Sequence, residues 1–255
     1  MNVLDSFSLK GKTALVTGGA GLYGRQIVEA LTQAGAKTWI ASRNFEALKR
    51  TADEFGATAI KLDLASAESI QATVDTIAAT DGQLDILVNN AVTRCACSSW
   101  DLPMEVFDES LHVNASSLFC ITRLAAELMK RRSSGSIINI GSYMGLLGSN
   151  PSNYSGTSMG NPSPIYFYEK GGMTNFTRWA ASELGPWQIR VNCICAGGLQ
   201  SGQPSAFLEN YAKNTMLGRM AGQDDLKGII VFLSSDASSY VTGTNIPVDG
   251  GYSAK

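Results

Sequence analysis

Short runs of apolar residues rich in Val and Ile recur along the chain, and most of them end at Gly, Asn or Asp. Runs of four to eight such residues between breakers are typical of buried β-strands. We therefore predict seven strands, in the segments "TALVTGG", "AKTWIAS", "ATAIKLDL", "LDILVNNA", "GSIINIGS", "IRVNCICAGG" and "TNIPVDGG".

Helical patterns lie between these runs. The segment "RQIVEALTQAG" places Ile27, Ala30, Leu31 and Ala34 on one face and ends at Gly35, as an amphipathic helix with its C-cap does. Strict alternation of buried strands and helices predicts an α/β protein: one doubly wound Rossmann domain over 1–255, with helices on both faces of a seven-stranded parallel sheet. Further helices are predicted at 66–79, 104–131, 167–184 and 224–234.

One irregular region interrupts the pattern. Residues 145–165, "GLLGSNPSNYSGTSMGNPSPI", are rich in Gly, Ser, Asn and Pro and form too long a stretch for an ordinary turn. We interpret them as a loop inserted beside the functional site rather than as a boundary between domains.

Charge and composition narrow the function. The 255 residues carry 20 basic and 22 acidic side chains, a net charge of −2, which disfavours nucleic acid and anionic membranes as partners. No charged-then-apolar signal opens the sequence, so we predict a cytoplasmic protein.

The cysteines and the single histidine argue against a metal centre. His112 stands alone, and the five cysteines include no CxxC pair, so no metal site is predicted. Cys95 and Cys97 are either reactive thiols or, as we favour, small residues of a loop or the core.

The segment "TALVTGGAGLYGRQIVEAL" orders a strand, a glycine-rich turn and a helix as dinucleotide-binding folds do. The end of the second strand then discriminates between nucleotides. Ser42 and Arg43 stand where an acidic residue would hold a ribose, and their donors suit a 2′-phosphate. NADP(H) is favoured, NAD(H) is the alternative, and Arg43 could also be only a surface charge.

Of three neighbouring tyrosines, Tyr154, Tyr166 and Tyr168, only Tyr166 has a cation four residues on, at Lys170. On a helix that spacing places both side chains on one face. An ammonium beside a phenol stabilises the phenolate and lowers its pKa from about 10. Tyr166 is therefore the candidate that exchanges a proton with an alcohol while hydride moves to or from a nicotinamide.

With these motifs the chain resembles the classical short-chain dehydrogenase/reductase family nearly from end to end. Two differences stand out: Leu22 replaces a glycine of the cofactor turn, and Ser142 and Tyr166 are 24 positions apart, about eleven more than usual. Similar insertions with a like "GTSM" stretch occur in members associated with bacterial sugar and glycan modification. The resemblance rests on "TGGAGLYG", "LDILVNNA", "VNASSLF", "IINIGS", "YFYEK", "RVNCICAGG" and "VTGTNIPVDGG".

The resemblance implies roles for individual residues. Tyr166 is similar to the family's general acid/base, and Lys170 to the residue that lowers its pKa and holds the nicotinamide ribose. Ser142 is similar to the residue that hydrogen-bonds the substrate oxygen, and Asn114 to the one that anchors a water-linked proton path. Further cofactor contacts are implied for Gly18, Leu22, Tyr23, Asp63, Leu64, Asn90 and Leu199.

The favoured function is therefore NAD(P)-dependent interconversion of a secondary alcohol and a ketone. The Ser and Asn donors of 145–165 suit a polyhydroxylated small molecule such as a sugar, sugar acid or polyol. Two alternatives stay open: a 3-oxoacyl-carrier-protein reductase and a non-catalytic nucleotide-binding regulator. The resemblance also implies a homo-oligomer, a tetramer or a dimer, built on the helices at 104–131 and 167–184.

Overall fold

The computed structural model describes residues 2–94 and 100–255. All seven predicted strands form, and they pair in parallel in the order β3-β2-β1-β4-β5-β6-β7. The fold prediction is confirmed. Strands β1 to β7 span Thr13–Thr17, Lys37–Ser42, Thr58–Lys61, Ile86–Asn89, Gly135–Ile140, Ile189–Ala196 and Asn245–Val248.

The strand order reverses direction at β1, and this reversal fixes where a ligand can bind. Val16 of β1 pairs with Ile40 of β2 on one side and with Val88 of β4 on the other. Connections leave β1 and β4 in opposite directions, so a crevice opens between their carboxyl ends. No helix within the described residues is both long and apolar enough to cross a bilayer.

Helices cover both faces of the sheet, because alternate residues of each strand point to opposite faces. Val16 belongs to the core cluster that packs under α1 and α8, whereas Leu15 belongs to the cluster under α3, α5 and α6. Helices α1 to α8 span Leu22–Gln33, Phe45–Phe55, Ala67–Asp81, Met104–Leu111, Ser117–Lys130, Pro164–Leu184, Ser205–Asn214 and Lys227–Ser234.

The helices differ from the predictions in several respects. The segment predicted as one helix over 104–131 contains a π turn, His112–Ser116, between α4 and α5. The helix predicted from residue 167 begins at Pro164, so Tyr166 lies in its first turn. Helices α2 and α7 were not predicted, and α7 buries only Phe207 and Tyr211, too few residues for a clear helical period.

The inserted segment is packed rather than loose. Asn153 is buried and donates through Nδ2 to the Tyr252 hydroxyl at 2.8 Å, and its Oδ1 accepts from Asn214 Nδ2 at 2.9 Å. The Tyr154 ring contacts the Phe207 ring at a centroid distance of 5.4 Å. These contacts fix the insertion against α7 and the C-terminal turn.

We expect Asn153→Ala to lower the free energy of unfolding by about 1–3 kcal/mol, because it leaves the buried hydroxyl of Tyr252 without its donor and removes one acceptor of Asn214. Urea unfolding measures the effect. Ser158→Ala, an exposed position of the same insertion, is the control and should change nothing. Equal stabilities of the two variants would contradict the packed insertion.

Candidate active site

A cavity of about 760 Å³ opens at the carboxyl ends of the strands, over the reversal point between β1 and β4. Every residue that the sequence assigns to the cofactor contributes to its wall, so one cavity collects positions that lie far apart in the sequence. These residues are Gly18, Leu22, Tyr23, Ser42, Arg43, Asp63, Leu64, Asn90, Tyr166, Lys170 and Leu199.

The glycine-rich turn after β1 is pressed tightly against its surroundings. Gly18 has φ +68°, a left-handed conformation that favours glycine, and a Cβ on Gly24 would lie 2.1 Å from the Gly18 carbonyl oxygen. Asn90, which follows β4, donates through Nδ2 to the carbonyls of Thr17 and Gly18, each at 3.0 Å. These hydrogen bonds therefore fix the turn against the ends of β1 and β4.

The N-terminus of α1 meets the requirements of a pyrophosphate site. Gly21 is its N-cap and no side chain caps the first turn, so the leading N–H groups and the positive end of the helix dipole remain available to an anion. Leu22, which replaces the family's glycine, is 53% exposed. The leading N–H groups of α1 thus stay open to a ligand despite the substitution.

Tyr23 closes one side of this turn. Its hydroxyl donates to the Gly197 carbonyl at 2.8 Å and so joins α1 to the loop after β6. Burial raises the pKa of Tyr23, and the neighbouring phenol of Tyr211 adds to the rise, so this phenol stays neutral. Tyr23 therefore positions the backbone and is a poor proton carrier.

Tyr166 and Lys170 lie on one face of α6, as the four-residue spacing predicts. Lys170 is 4% exposed, and its Nζ donates to the Ile140 carbonyl at 2.8 Å. The same Nζ is 5.7 Å from the centre of the Tyr166 ring. A buried ammonium is thus fixed at the end of β5 beside a phenol that faces the cavity.

The other two tyrosines lack this arrangement. Burial raises the pKa of Tyr154 to about 12, so this phenol stays protonated at neutral pH and gives up its proton poorly. Tyr168 points outward and packs edge-on against Phe107, with ring centroids 5.7 Å apart. Only Tyr166 combines a cationic neighbour with a place in the cavity wall.

Ser142 follows β5 and also lines the cavity. It is buried, and its Oγ accepts a hydrogen bond from the Met144 N–H at 3.1 Å. That bond uses a lone pair of the hydroxyl and leaves its proton for an oxygen of the substrate. Ser142, Tyr166 and Lys170 therefore reach the same space from two elements.

A chain of buried hydrogen bonds, which the sequence analysis did not predict, connects β4, β5 and α6. Asn89 of β4 donates to the Oδ1 of Asn139 on β5 at 2.9 Å, and Asn139 donates to Thr177 of α6 at 2.9 Å. The sequence did contain a signal for this network, since Asn89 and Asn139 occupy paired positions on two neighbouring strands. Satisfied buried networks of this kind rigidify a core.

Asn114 lies in the π turn and, unlike the other predicted residues, does not line the cavity. Its Oδ1 accepts from the Thr93 N–H, and its Nδ2 donates to the Thr93 carbonyl, both at 2.8 Å. The same Nδ2 donates to the carboxylate of Glu169 at 3.0 and 3.1 Å. Its amide therefore fastens the chain after β4, and a role in a proton path stays a prediction.

One part of the cavity wall is aromatic. Tyr143, Tyr154, Phe207 and Tyr211 line the cavity there together with Met220. Asn150 and Asn153 of the insertion, whose amides were expected to suit a polyhydroxylated substrate, are instead bonded within the protein, to Ser152 and to Tyr252. The insertion itself presents one aromatic ring, that of Tyr154, and one thioether, that of Met159, to the cavity, together with Ser163.

Charged groups at this end of the cavity are few. The exposed side chain of Arg94, which follows β4, contributes to the wall. Among residues 2–94 and 100–255 no group of three His, Cys, Asp or Glu side chains could hold a metal ion. Cys95 and Cys97 lie outside the described residues.

Comparison with known proteins gives a consistent result. A family model described as enoyl-(acyl carrier protein) reductase matches residues 21–253. The chain is 34% identical to 2-dehydro-3-deoxy-D-gluconate 5-dehydrogenase of Bacillus subtilis (97% of each chain) and 31% identical to the rhamnolipids biosynthesis 3-oxoacyl-[acyl-carrier-protein] reductase of Pseudomonas aeruginosa (96% of this chain, 98% of that one).

Solved structures agree with the sequence comparison. The structure of a gluconate 5-dehydrogenase from Burkholderia cenocepacia in complex with NADP and tartrate superimposes with a TM-score of 0.88, at 29% identity over 100% of both chains. The fold of the present chain, and the motifs that line its cavity, are those that the resemblance implied. The chain belongs to the classical short-chain dehydrogenase/reductase family.

Proposed function

We propose that this chain interconverts a secondary alcohol and a ketone with a nicotinamide nucleotide. The observation that carries the proposal is the buried ammonium of Lys170 beside the Tyr166 ring, with Ser142 in the same cavity wall. A phenol that must exchange a proton at neutral pH needs such a cation, and a structural tyrosine does not.

In this proposal the residues divide the work as follows. Tyr166 donates its proton to the carbonyl oxygen during reduction and takes it back during oxidation. Ser142 donates a hydrogen bond to the same oxygen, and Lys170 stabilises the phenolate that remains. The bound nicotinamide nucleotide supplies or accepts the hydride. The first turn of α1 would hold its pyrophosphate.

The test is an assay with purified protein, NADPH or NADH, and a panel of ketones, following the absorbance of the reduced nicotinamide. The proposal requires turnover of at least one ketone class, with product alcohol formed in equal amount. Absence of turnover across both nucleotides and all classes would overturn it.

We further propose a sugar acid or polyol as the substrate. Two relatives named for gluconate-type substrates support this class, as does Arg94, a cation of the cavity wall that would suit a substrate carboxylate. The rings of Tyr143, Tyr154 and Phe207 support a second candidate, reduction of 3-oxoacyl groups, which is the activity in the name of another relative. The ratio of kcat/KM for keto-sugar acids and for 3-oxoacyl thioesters discriminates between the two.

NADP(H) is our proposed nucleotide, because Arg43 lies exposed in the cavity wall at the end of β2. Replacing it in Arg43→Ala should raise the KM for NADPH about tenfold, as expected for the loss of one charged hydrogen bond. The KM for NADH should stay within about twofold. Steady-state kinetics with both nucleotides measures this, and an equal change for both would contradict the assignment.

We also propose a cytoplasmic homo-oligomer. Cys120, Cys193 and Cys195 are free thiols, as is usual in a reducing compartment. Phe119 of α5 and Trp179 of α6 expose apolar surface on neighbouring helices, and both contact Phe176. Light scattering that gives the mass of a dimer or tetramer would support the assembly, and a monomer mass would contradict it.

A further inference from the structure

Glu169 is a buried carboxyl group that the proposed reaction does not use. It lies between Tyr166 and Lys170 in the sequence of α6 and is 8% exposed. Ser110 of α4 donates to its Oε1 at 2.6 Å, and Asn114 donates to both of its oxygens. The carboxyl group also contributes to the cavity wall.

The groups that bind this carboxylate are neutral. Among the described residues no basic side chain forms an ion pair with Glu169. Burial raises the pKa of Glu169, and the hydrogen bonds from Ser110 and Asn114 and the charge of Lys170 offset this only in part. An unpaired buried acid is costly, so its retention calls for a reason beyond packing.

The charged surroundings of Glu169 are simple. On its own helix, the titratable neighbours are Lys170, whose Nζ binds the Ile140 carbonyl, and Tyr166. The π turn and α4 face it with Asn114 and Ser110, whereas the His112 ring is bonded to the Ala65 carbonyl. The chain after β4 adds Arg94, which shares the cavity wall.

We propose that Glu169 is a positioning residue of the reaction: in its ionised form it holds the Asn114 amide, and through it the chain after β4, against the helix that carries Tyr166 and Lys170. This inference rests on the proposed function. Asn114 binds both backbone groups of Thr93, so the two side chains join α6 to the chain after β4.

Protonation of Glu169 would weaken this connection. A carboxylate accepts from Ser110 and from Asn114 at both oxygens, whereas a protonated carboxyl group has one oxygen that must donate. Asn114 Nδ2 can only donate, so it cannot bind that oxygen in the same way. Acid should therefore loosen the Asn114–Thr93 segment beside the reacting groups.

Glu169→Gln tests the proposal, with Glu183→Gln, an exposed position on the same helix, as the matched control. The assay follows reduction, because in that direction Tyr166 must carry its proton. Acid keeps that proton in place, so a loss of kcat in acid cannot come from Tyr166. In the unaltered protein kcat should fall on the acid side as Glu169 gains a proton.

Glu169→Gln should lower kcat about tenfold at neutral pH, leave KM within about twofold and abolish the acid limb. Glu183→Gln should keep both kcat and the limb. An acid limb and a kcat that are unchanged in Glu169→Gln would overturn the proposal.

A second measurement needs no turnover and separates this inference from the proposed function. The Thr93 N–H donates to Asn114 Oδ1, so the rate at which this amide exchanges with solvent deuterium reports how firmly Asn114 is held. At one pH, the Thr93 amide of the unliganded protein should exchange faster in Glu169→Gln than in Glu183→Gln. Equal exchange rates in the two variants would overturn the inference even if the enzyme is active. Faster exchange in a protein that shows no turnover would overturn only the proposed function.

Discussion

Replacing Tyr166 by phenylalanine should lower kcat by roughly 10²–10⁴-fold, the usual contribution of a general acid/base, while NADPH still binds. The reason is local: the ring and its contact with Lys170 remain, and only the hydroxyl that moves the proton is lost. Steady-state kinetics gives kcat, and quenching of NADPH fluorescence gives the affinity.

The matched control for this prediction is Tyr168→Phe, two residues further along α6. Tyr168 is 64% exposed and contacts Phe107 through its ring, which phenylalanine keeps. We expect its kcat to match that of the unaltered protein. If Tyr166→Phe and Tyr168→Phe had the same kcat, the assignment of the proton carrier would be wrong.

Replacing Lys170 by methionine should be nearly as severe and should affect two quantities at once. The buried ammonium would be lost from beside Tyr166, and the Ile140 carbonyl would lose its donor. We expect kcat to fall roughly 10²-fold and NADPH affinity about tenfold, because the family role of this lysine includes the nicotinamide ribose.

Arg178→Met serves as the control for Lys170→Met. It removes a cation from an exposed position on the same helix, so any effect of helix propensity or net charge is matched. Both kcat and NADPH affinity should be unchanged in it. A loss of kcat in Lys170→Met with unaltered affinity would limit the lysine to the proton step and contradict its second role.

Much of the fold followed from local patterns. All seven strands were predicted, because each lies in a short run rich in apolar residues that can be recognised without a distant partner. The Tyr166–Lys170 arrangement was predictable for a similar reason, since four residues on a helix fix the relative direction of two side chains. The strands and this pair both depend only on residues that lie within a few positions of one another in the sequence.

Features that depend on distant contacts were not predictable. The insertion is ordered by the bond from Asn153 to Tyr252, 99 positions away, and no pattern within 145–165 indicates that partner. The network of Ser110 and Asn114 with Glu169 spans more than 50 positions in the same way. Which side chains of the insertion face the cavity was not predictable either, since Asn153 bonds Tyr252 whereas Tyr154 and Met159 line the cavity wall.

The roles predicted for the cofactor residues depend on a bound nucleotide, and one experiment addresses hydride and proton together. NADPH carrying deuterium in place of both C4 hydrogens is incubated with the protein and a ketone that it reduces, and the alcohol is examined by NMR. The account predicts one deuterium on the carbinol carbon in the unaltered protein and almost no labelled product with Tyr166→Phe. Labelled alcohol formed equally fast by Tyr166→Phe, or alcohol without deuterium, would contradict it.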